Sequence, residues 1–368
     1  MKRNIFLLTL ICIALASCTE RRPEVRNVIY LIGDGMGFGA VSSLLLTDDS
    51  TTAFEMAPVI GLSESCSANN YVTDSPAGGT ALACGERTLN GYVGVDVNGR
   101  PMKSILKKAQ EMGKSSGIVV NTVLTEATPA DFYASVLSRS ESYKIAEHFV
   151  ESGVDVAIGA GLSAFVERPD SLDLTESLKE KGYDVYTEKK SAFESQSDKF
   201  VAILPMEDVH RRNVPDSLAE KRAEAKLYLE QAVEKAISVL ENKGKEGFFL
   251  MIESAIIDGY GHSNDSDGMV EEMLDFDRTV KKLVNYVNTH DNTLLVVTAD
   301  HETGGTAVAY KEHQVGKRVP LTLSFSTKGH TGTVVPIFAY GEGAEYFGRV
   351  MKNVEIPRTM EMLMKESE

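Results

Sequence analysis

Cysteine, positive charge and long apolar runs are all scarce in this chain of 368 residues. The four cysteines, at positions 12, 18, 66 and 84, show no C-x-x-C spacing, so a disulfide-dense scaffold is excluded and nothing favours thiolate ligation of zinc. Lys and Arg number 38 against 53 Asp and Glu, a formal charge of −15, which argues against nucleic acid or an anionic membrane surface as the main partner. The longest apolar run, residues 5–16, falls short of the roughly 20 residues a transmembrane helix needs. What is present, 43% hydrophobic and 25% charged residues, belongs to an ordinary globular protein, so disordered and fibrous classes drop out. At about 150 residues per domain the length predicts two domains, although large α/β enzymes often fold as one unit of this size.

The N-terminus reads as an export signal. Lys2 and Arg3 precede the apolar run, which meets the small residues Ala16 and Ser17. Leu15-Ala16-Ser17-Cys18 resembles a bacterial lipoprotein signal, in which Cys18 is lipidated and becomes the first mature residue; in an ordinary cleaved signal Cys18 would be incidental. The first reading predicts a signal peptide over 1–17, a short linker over 18–26, and an exported protein in the periplasm or cell envelope that meets the membrane only through the anchor. Cys66 and Cys84 then remain in an oxidising setting, and a disulfide or two buried thiols are equally open.

Short Val, Ile, Leu and Phe runs at 27–32, 117–121, 154–158, 248–252, 293–298 and 334–340 read as buried strands. Helical patterns lie between them, such as Met102, Ile105, Leu106, Ala109 and Met112 closed by Gly113, and Leu229, Val233, Ala236, Ile237 and Leu240. Alternation of this kind predicts an α/β fold, a three-layer α/β/α sandwich with a mostly parallel central sheet, whose ligands bind beyond the carboxyl ends of the strands. No internal repeat divides residues 27–368, which read as a single catalytic domain. The more polar stretch at about 162–215 reads as an insertion or a cap over the sheet.

Several strands end in groups that carry chemistry. The first runs into Gly33-Asp34-Gly35-Met36-Gly37-Phe38-Gly39, so something approaches that backbone closely. Taken alone it fits a metal-ligating Asp34, a plain turn, or a G-x-G-x-x-A dinucleotide fingerprint with Glu55 near the ribose offset. Later strands lead to Glu253, then Asp258 and His262, and to Asp300 and His301. Unpaired carboxylates buried there would be costly without a metal. Asp258, His262 and His330 make a two-His, one-carboxylate set of the catalytic zinc type, and Asp34, Asp300 and His301 a second. Asp34, Thr128 and Glu253 offer only oxygen, which suits magnesium, although Thr128-Pro129 is also a good helix start. Ser75 in Thr73-Asp74-Ser75-Pro76 either caps a helix ending at Gly85 or is a nucleophile, with no nearby His to activate it as in a triad. Arg139 lies eleven residues beyond Thr128, on the same face if one helix carries both, where a guanidinium could clamp phosphate.

Across five segments the text resembles the alkaline phosphatase family: residues 28–37, Thr73-Asp74-Ser75, Ala127-Thr128-Pro129-Ala130, Thr298-Ala299-Asp300-His301-Glu302-Thr303-Gly304-Gly305, and Gly329-His330-Thr331-Gly332. The resemblance implies an alkaline-phosphatase-like fold, hydrolysis of small phosphate monoesters through a phosphoserine at Ser75, and a phosphate clamp at Arg139. It also implies two zinc sites and a magnesium site built from the three sets above, and it suggests a homodimer. One departure stands two residues before Thr128, where relatives usually carry Asp or His and this chain has Glu126, which leaves the third metal open. The five carboxylates Asp34, Glu126, Glu253, Asp258 and Asp300 against Arg139 put the pocket at −4, and three divalent cations would bring it to +2. A phosphodiesterase of the same superfamily and a silent phosphate- or metal-binding lipoprotein remain alternatives. A sulfatase lacks its C/S-x-P-x-R pattern here, and a dinucleotide enzyme would leave Asp300, His301, Asp258 and His262 idle.

Feeding a radioactive fatty acid to cells expressing the full chain should label it, and Cys18→Ala should abolish the label; an unlabelled wild-type chain would remove the anchor.

Overall fold

The computed structural model describes residues 23–47, 50–209, 228–309 and 321–365. The signal and Cys18, and part of the polar stretch, lie outside the described residues. A ten-stranded sheet forms the middle layer. Its centre is β1 (Asn27–Gly33), flanked by β7 (Phe248–Ser254) and β8 (Thr293–Thr298), with β3 (Ser115–Val123), β4 (Val156–Ala160), β6 (Phe200–Leu204) and β5 (Asp184–Tyr186) following outward beyond β7. All of these pair in parallel. On the other side β13 (Val335–Gly341) joins β8 antiparallel, then come β2 (Val59–Glu64) and β14 (Val350–Lys352).

The central strands are apolar on both faces because helices cover both. Along β1, Ile29 and Leu31 point into one core, and Val28, Tyr30 and Ile32 into the other. The first core is closed by α1 (Phe38–Thr47), α6 (Tyr228–Lys243), α7 (Ile256–Ser263) and α8 (Ser266–Val287). The second is closed by α2 (Ser75–Cys84), α3 (Ile105–Glu111), α5 (Ser142–Val150) and α9 (Glu355–Met364), while α4 (Ala127–Ala130) is a single buried turn. The expected three-layer sandwich is therefore present, and residues 25–47 and 54–64 share it with the C-terminal strands. Among the described residues no helix is long and apolar enough to cross a membrane. Cys66 and Cys84 are free thiols.

The described part of the polar stretch does not lie over the sheet as a cap. It supplies β5 and β6, which extend the parallel sheet at one edge, with short helices Ser163–Val166, Leu174–Glu180 and Lys189–Glu194 around them. Polar residues fit there because an edge strand and its helices face solvent on one side.

The glycine-rich loop after β1 is narrow for a reason internal to the chain. A Cβ on Gly37 would meet Glu302 Cγ at 2.1 Å, and one on Gly39 would meet the Thr306 carbonyl oxygen at 2.1 Å. The close approach expected from the sequence comes from the segment that follows β8, so no space remains there for a pyrophosphate. Glu55 meanwhile accepts hydrogen bonds from the Thr52 amide and hydroxyl, at 2.8 and 3.0 Å, as a local turn does. The dinucleotide reading fails on both counts. Since the interior tolerates an extra methyl poorly, Gly37→Ala should lower stability by about 1–3 kcal/mol in urea unfolding; an unchanged transition would mean the loop yields freely.

Candidate active site

Strand register brings the carboxyl ends together. Ile32 stands beside both Glu253 and Thr298, and Val120 beside Glu253, so β1, β7, β8 and β3 finish side by side. Asp34 follows β1, Glu253 lies near the end of β7 with Asp258 and His262 on α7 just beyond, and Asp300 and His301 follow β8. His330 arrives on β12 (His330–Thr331), a two-residue strand paired antiparallel with β9 (Glu302–Thr303).

Two clusters result, each with ligand atoms within 4.8 Å of one another: Asp258, His262 and His330, and Asp34, Asp300 and His301. In the first, His330 Nε2 is 3.2 Å from His262 Nε2, and the Asp258 carboxylate lies 3.3 Å from His262 Nε2 and 3.5 Å from His330 Nε2. The outer nitrogens are occupied: His262 Nδ1 meets the Lys328 carbonyl, and His330 Nδ1 the Thr73 carbonyl at 3.0 Å. A carbonyl only accepts, so Nδ1 carries the proton in both rings and the Nε2 lone pairs turn inward, as metal ligation requires. In the second cluster, His301 Nε2 is 3.2 Å from Asp300 and 3.5 Å from Asp34.

Electrostatics makes these clusters costly without cations. Burial, then repulsion from Asp300 and Asp258, pushes the Asp34 carboxyl well above the ordinary carboxylate range. Asp300 rises through burial and the charge of Asp258, and Glu253 through burial and the charges of Glu126 and Asp300. Burial and the neighbouring His330 depress His301. Asp258 goes the other way: burial opposes its charge, but the imidazoles of His330 and His301 beside it and the Thr303 hydroxyl outweigh that and hold it low. Asp34 Oδ1, Asp300 Oδ2, both oxygens of Glu253 and Thr128 Oγ1 are buried without a hydrogen-bond partner. Orphaned buried oxygens beside inward-facing imidazole nitrogens are the donor set that divalent cations satisfy. The residues present therefore fit two nitrogen- and oxygen-ligated cations and one held by oxygen alone.

Ser75 lies at the rim of the second cluster, its Oγ 3.3 Å from His301 Nε2. It does not cap its helix. Asp74 does, its carboxylate accepting from the Ala77 amide at 3.1 Å, while Pro76 follows and Gly85 closes the helix in the left-handed region at φ 73°. That releases the Ser75 hydroxyl from capping, and its partner is His301, a histidine that the sequence did not place near it because the two are 226 residues apart. Nor does Thr128 cap α4, since Glu126 is the capping residue and the Thr128 hydroxyl is itself buried without a hydrogen-bond partner.

Arg139 is close by, though not through a shared helix. The turn carrying Thr128 ends at Ala130, the chain then pairs Val136 with Val93, and the Arg139 amide donates to the Gly91 carbonyl. Helical phase is thus the wrong reason for its position. Its half-exposed guanidinium pairs with Glu126. Burial disfavours its charge, but Glu126 beside it more than restores it and holds the pKa above its usual value.

Three residues that had only been part of quoted motifs acquire positions of interest: Asp74 as the cap, Glu302 against Gly37, and Thr303, whose hydroxyl lies between Asp258 and His301. Their sequence signal was adjacency to ligands, while their partners are remote in sequence.

Residues 25–325 match the family described as Alkaline phosphatase. Alkaline phosphatase 3 of Bacillus subtilis (strain 168) is 28% identical over 94% of this chain and 91% of its own length. An alkaline phosphatase from the Antarctic bacterium TAB5 superimposes with a TM-score of 0.84 at 32% identity, covering 93% of this chain and 98% of that one. A mutant of the TAB5 enzyme, described with Mg bound in the M3 site, superimposes with a TM-score of 0.84 at 31% identity, over 95% of this chain and all of that one. Agreement of sequence and fold over nearly the whole described chain establishes that the protein belongs to the alkaline phosphatase family and is a phosphatase, a hydrolase.

Proposed function

We propose that the chain hydrolyses phosphate monoesters to phosphate and alcohol through a phosphoserine at Ser75, with two zinc ions and one magnesium ion. The observation that carries this is the Ser75 hydroxyl, released from capping its helix and 3.3 Å from His301 Nε2 at the edge of a cluster of orphaned carboxylates. Asp258, His262 and His330 would hold one zinc, Asp34, Asp300 and His301 the other, and Asp34, Thr128 and Glu253 the magnesium. Such cations, when bound, lower the pKa of an oxygen they hold and offset charge on the phosphoryl group.

The chain's own groups do the rest. Asp74 fixes the first turn of α2, so Ser75 Oγ is held in one place and pays little entropy to reach phosphorus. Arg139 presents two donors suited to two non-bridging phosphoryl oxygens. Glu126 holds that guanidinium near the site and keeps it charged. Attack by Ser75 Oγ forms the serine phosphoester as the ester's alcohol leaves, and water then cleaves the phosphoester at phosphorus, returning the hydroxyl. Glu126, engaged by Arg139, adds charge near the oxygen-only site, which supports magnesium there; the TAB5 mutant described with Mg in its M3 site is consistent with that choice.

Protein from residue 19 onward, exported or refolded, should contain two zinc and one magnesium by mass spectrometry and hydrolyse p-nitrophenyl phosphate. Chelation should abolish turnover and lower the melting temperature, since the repelling carboxylates lose their counter-ions, and added metals should restore both. Ser75→Ala should reduce turnover by on the order of a thousandfold or more with metal content intact; near wild-type turnover would overturn the covalent step. A bis-p-nitrophenyl phosphate rate above the monoester rate would favour the diesterase instead, and full metal occupancy with no turnover on either ester the silent binder.

A further inference from the structure

The two imidazole ligands of the first cluster have their tautomers set by carbonyl groups, which can only accept. His301 is different. Its Nδ1 lies 3.2 Å from the Thr303 hydroxyl, a group that can donate or accept. What decides is the same hydroxyl's other contact, 2.5 Å to Asp258 Oδ1. That length is typical of an O–H donating to an ionised carboxylate, so the single hydroxyl proton points at Asp258. The oxygen is left to accept from His301 Nδ1–H, and His301 Nε2 is left with its lone pair facing Asp34, Asp300 and Ser75.

We infer that Thr303 is a positioning residue that couples the two clusters: its hydroxyl orients Asp258 of the first and, through that bond, fixes the Nε2-unprotonated tautomer of His301 in the second. The inference rests on reading both clusters as metal sites. Burial and two further contacts hold the hydroxyl in register. Thr303 is fully buried, its amide donates to the Gly35 carbonyl at 3.2 Å in the Asp34 loop, and it stands directly opposite His330 in the β9–β12 pair. Its neighbour Glu302 ties the same pair together, accepting from Thr331 Oγ1 and from the Thr306 amide at 2.9 Å. One small side chain therefore touches the placement of ligands on both sides of Ser75, and a rigid strand pair prevents the hydroxyl from turning away.

The test is the state of the His301 ring, read by nitrogen-15 NMR on histidine-labelled protein, as purified and after chelation, with His301→Asn to assign the signal. In wild type Nδ1 should carry the proton in both samples. Thr303→Val keeps the shape and removes the hydroxyl; it should mix the tautomers in the chelated sample and weaken zinc binding by about 10–100-fold in competition with a coloured chelator. Thr303→Ser should restore both readouts, which a merely space-filling role for Thr303 would not produce. A wild-type ring protonated at Nε2 after chelation would overturn the inference even if Thr303→Val did not fold, and so would a folded Thr303→Val protein with wild-type tautomer and zinc affinity. Both readouts are independent of turnover, so an inactive protein with the predicted tautomer would count against the proposed reaction and leave the role of Thr303 standing.

Discussion

Burial of like charge at one end of the sheet is the constraint on which the rest of this structure depends. Asp34, Glu253 and Asp300 are drawn out of water at the ends of three adjacent parallel strands, and Asp258 stands among them on α7. The nearest guanidinium, that of Arg139, is spent on Glu126. Backbone amides help only in part: Asp300 Oδ1 accepts from Gly35 and His301, at 3.2 and 2.9 Å, while its other oxygen has no partner. An isolated buried carboxylate costs several kcal/mol, and several together repel one another as well. The raised pKa values of Asp34, Asp300 and Glu253 record that cost. A fold that carries it must be rigid enough not to relax by opening the site.

Rigidity comes from two sources of different reach. The strands contribute the coarse part, because parallel neighbours buried on both faces have little freedom to slide without turning apolar side chains out of their cores. The fine part is made by contacts between loops that the sheet alone would leave independent. Gly37 and Gly39 admit the 302–306 segment against the Asp34 loop, and Glu302 and Thr303 then link that segment to β12 and α7. Ligands from four separated stretches are thus held by direct side-chain bonds between those stretches, and the helix carrying Ser75 is tied in through the Thr73 carbonyl on His330.

This division explains what could be read from the amino-acid sequence. The six apolar runs became strands within two residues of their expected ends, because burial on both faces leaves an unmistakable run of Val, Ile and Leu. Asp34, Asp258, His262, Asp300, His301 and His330 were identifiable because each closely follows or precedes such a run. By contrast β2, β5, β6 and β14 were missed: β2 is half-exposed, β5 and β14 are three residues long, and the buried run of β6 stands alone within polar text that reads as helix, so the pairing of these strands is set by neighbours their own surroundings do not announce. The same limit applies to Arg139, whose placement depends on the Val136–Val93 bridge and not on helical phase, and to the capping of α2, where Asp74 and Ser75 were both chemically suited and only the backbone geometry chooses. Thr303 is the extreme case, since its significance lies in a contact with a residue 45 positions away.

The overall charge of −15 looks unfavourable for a protein that acts on phosphate esters, yet the two scales of electrostatics do not compete on equal terms. Surface carboxylates are screened beyond roughly 8 Å at physiological ionic strength. Groups inside the pocket are not, because little water separates them from a ligand. With divalent cations bound as proposed, the pocket alone becomes positive, and a dianionic group that diffuses past a screened acidic surface meets an unscreened attraction only within its last few ångströms. Arg139, half-exposed beside Glu126, stands at that boundary. Its pairing with Glu126 keeps the guanidinium from searching solvent, so the cation met first on entry is already oriented, and capture of phosphate becomes a local property of the strand ends rather than of the molecule's net charge.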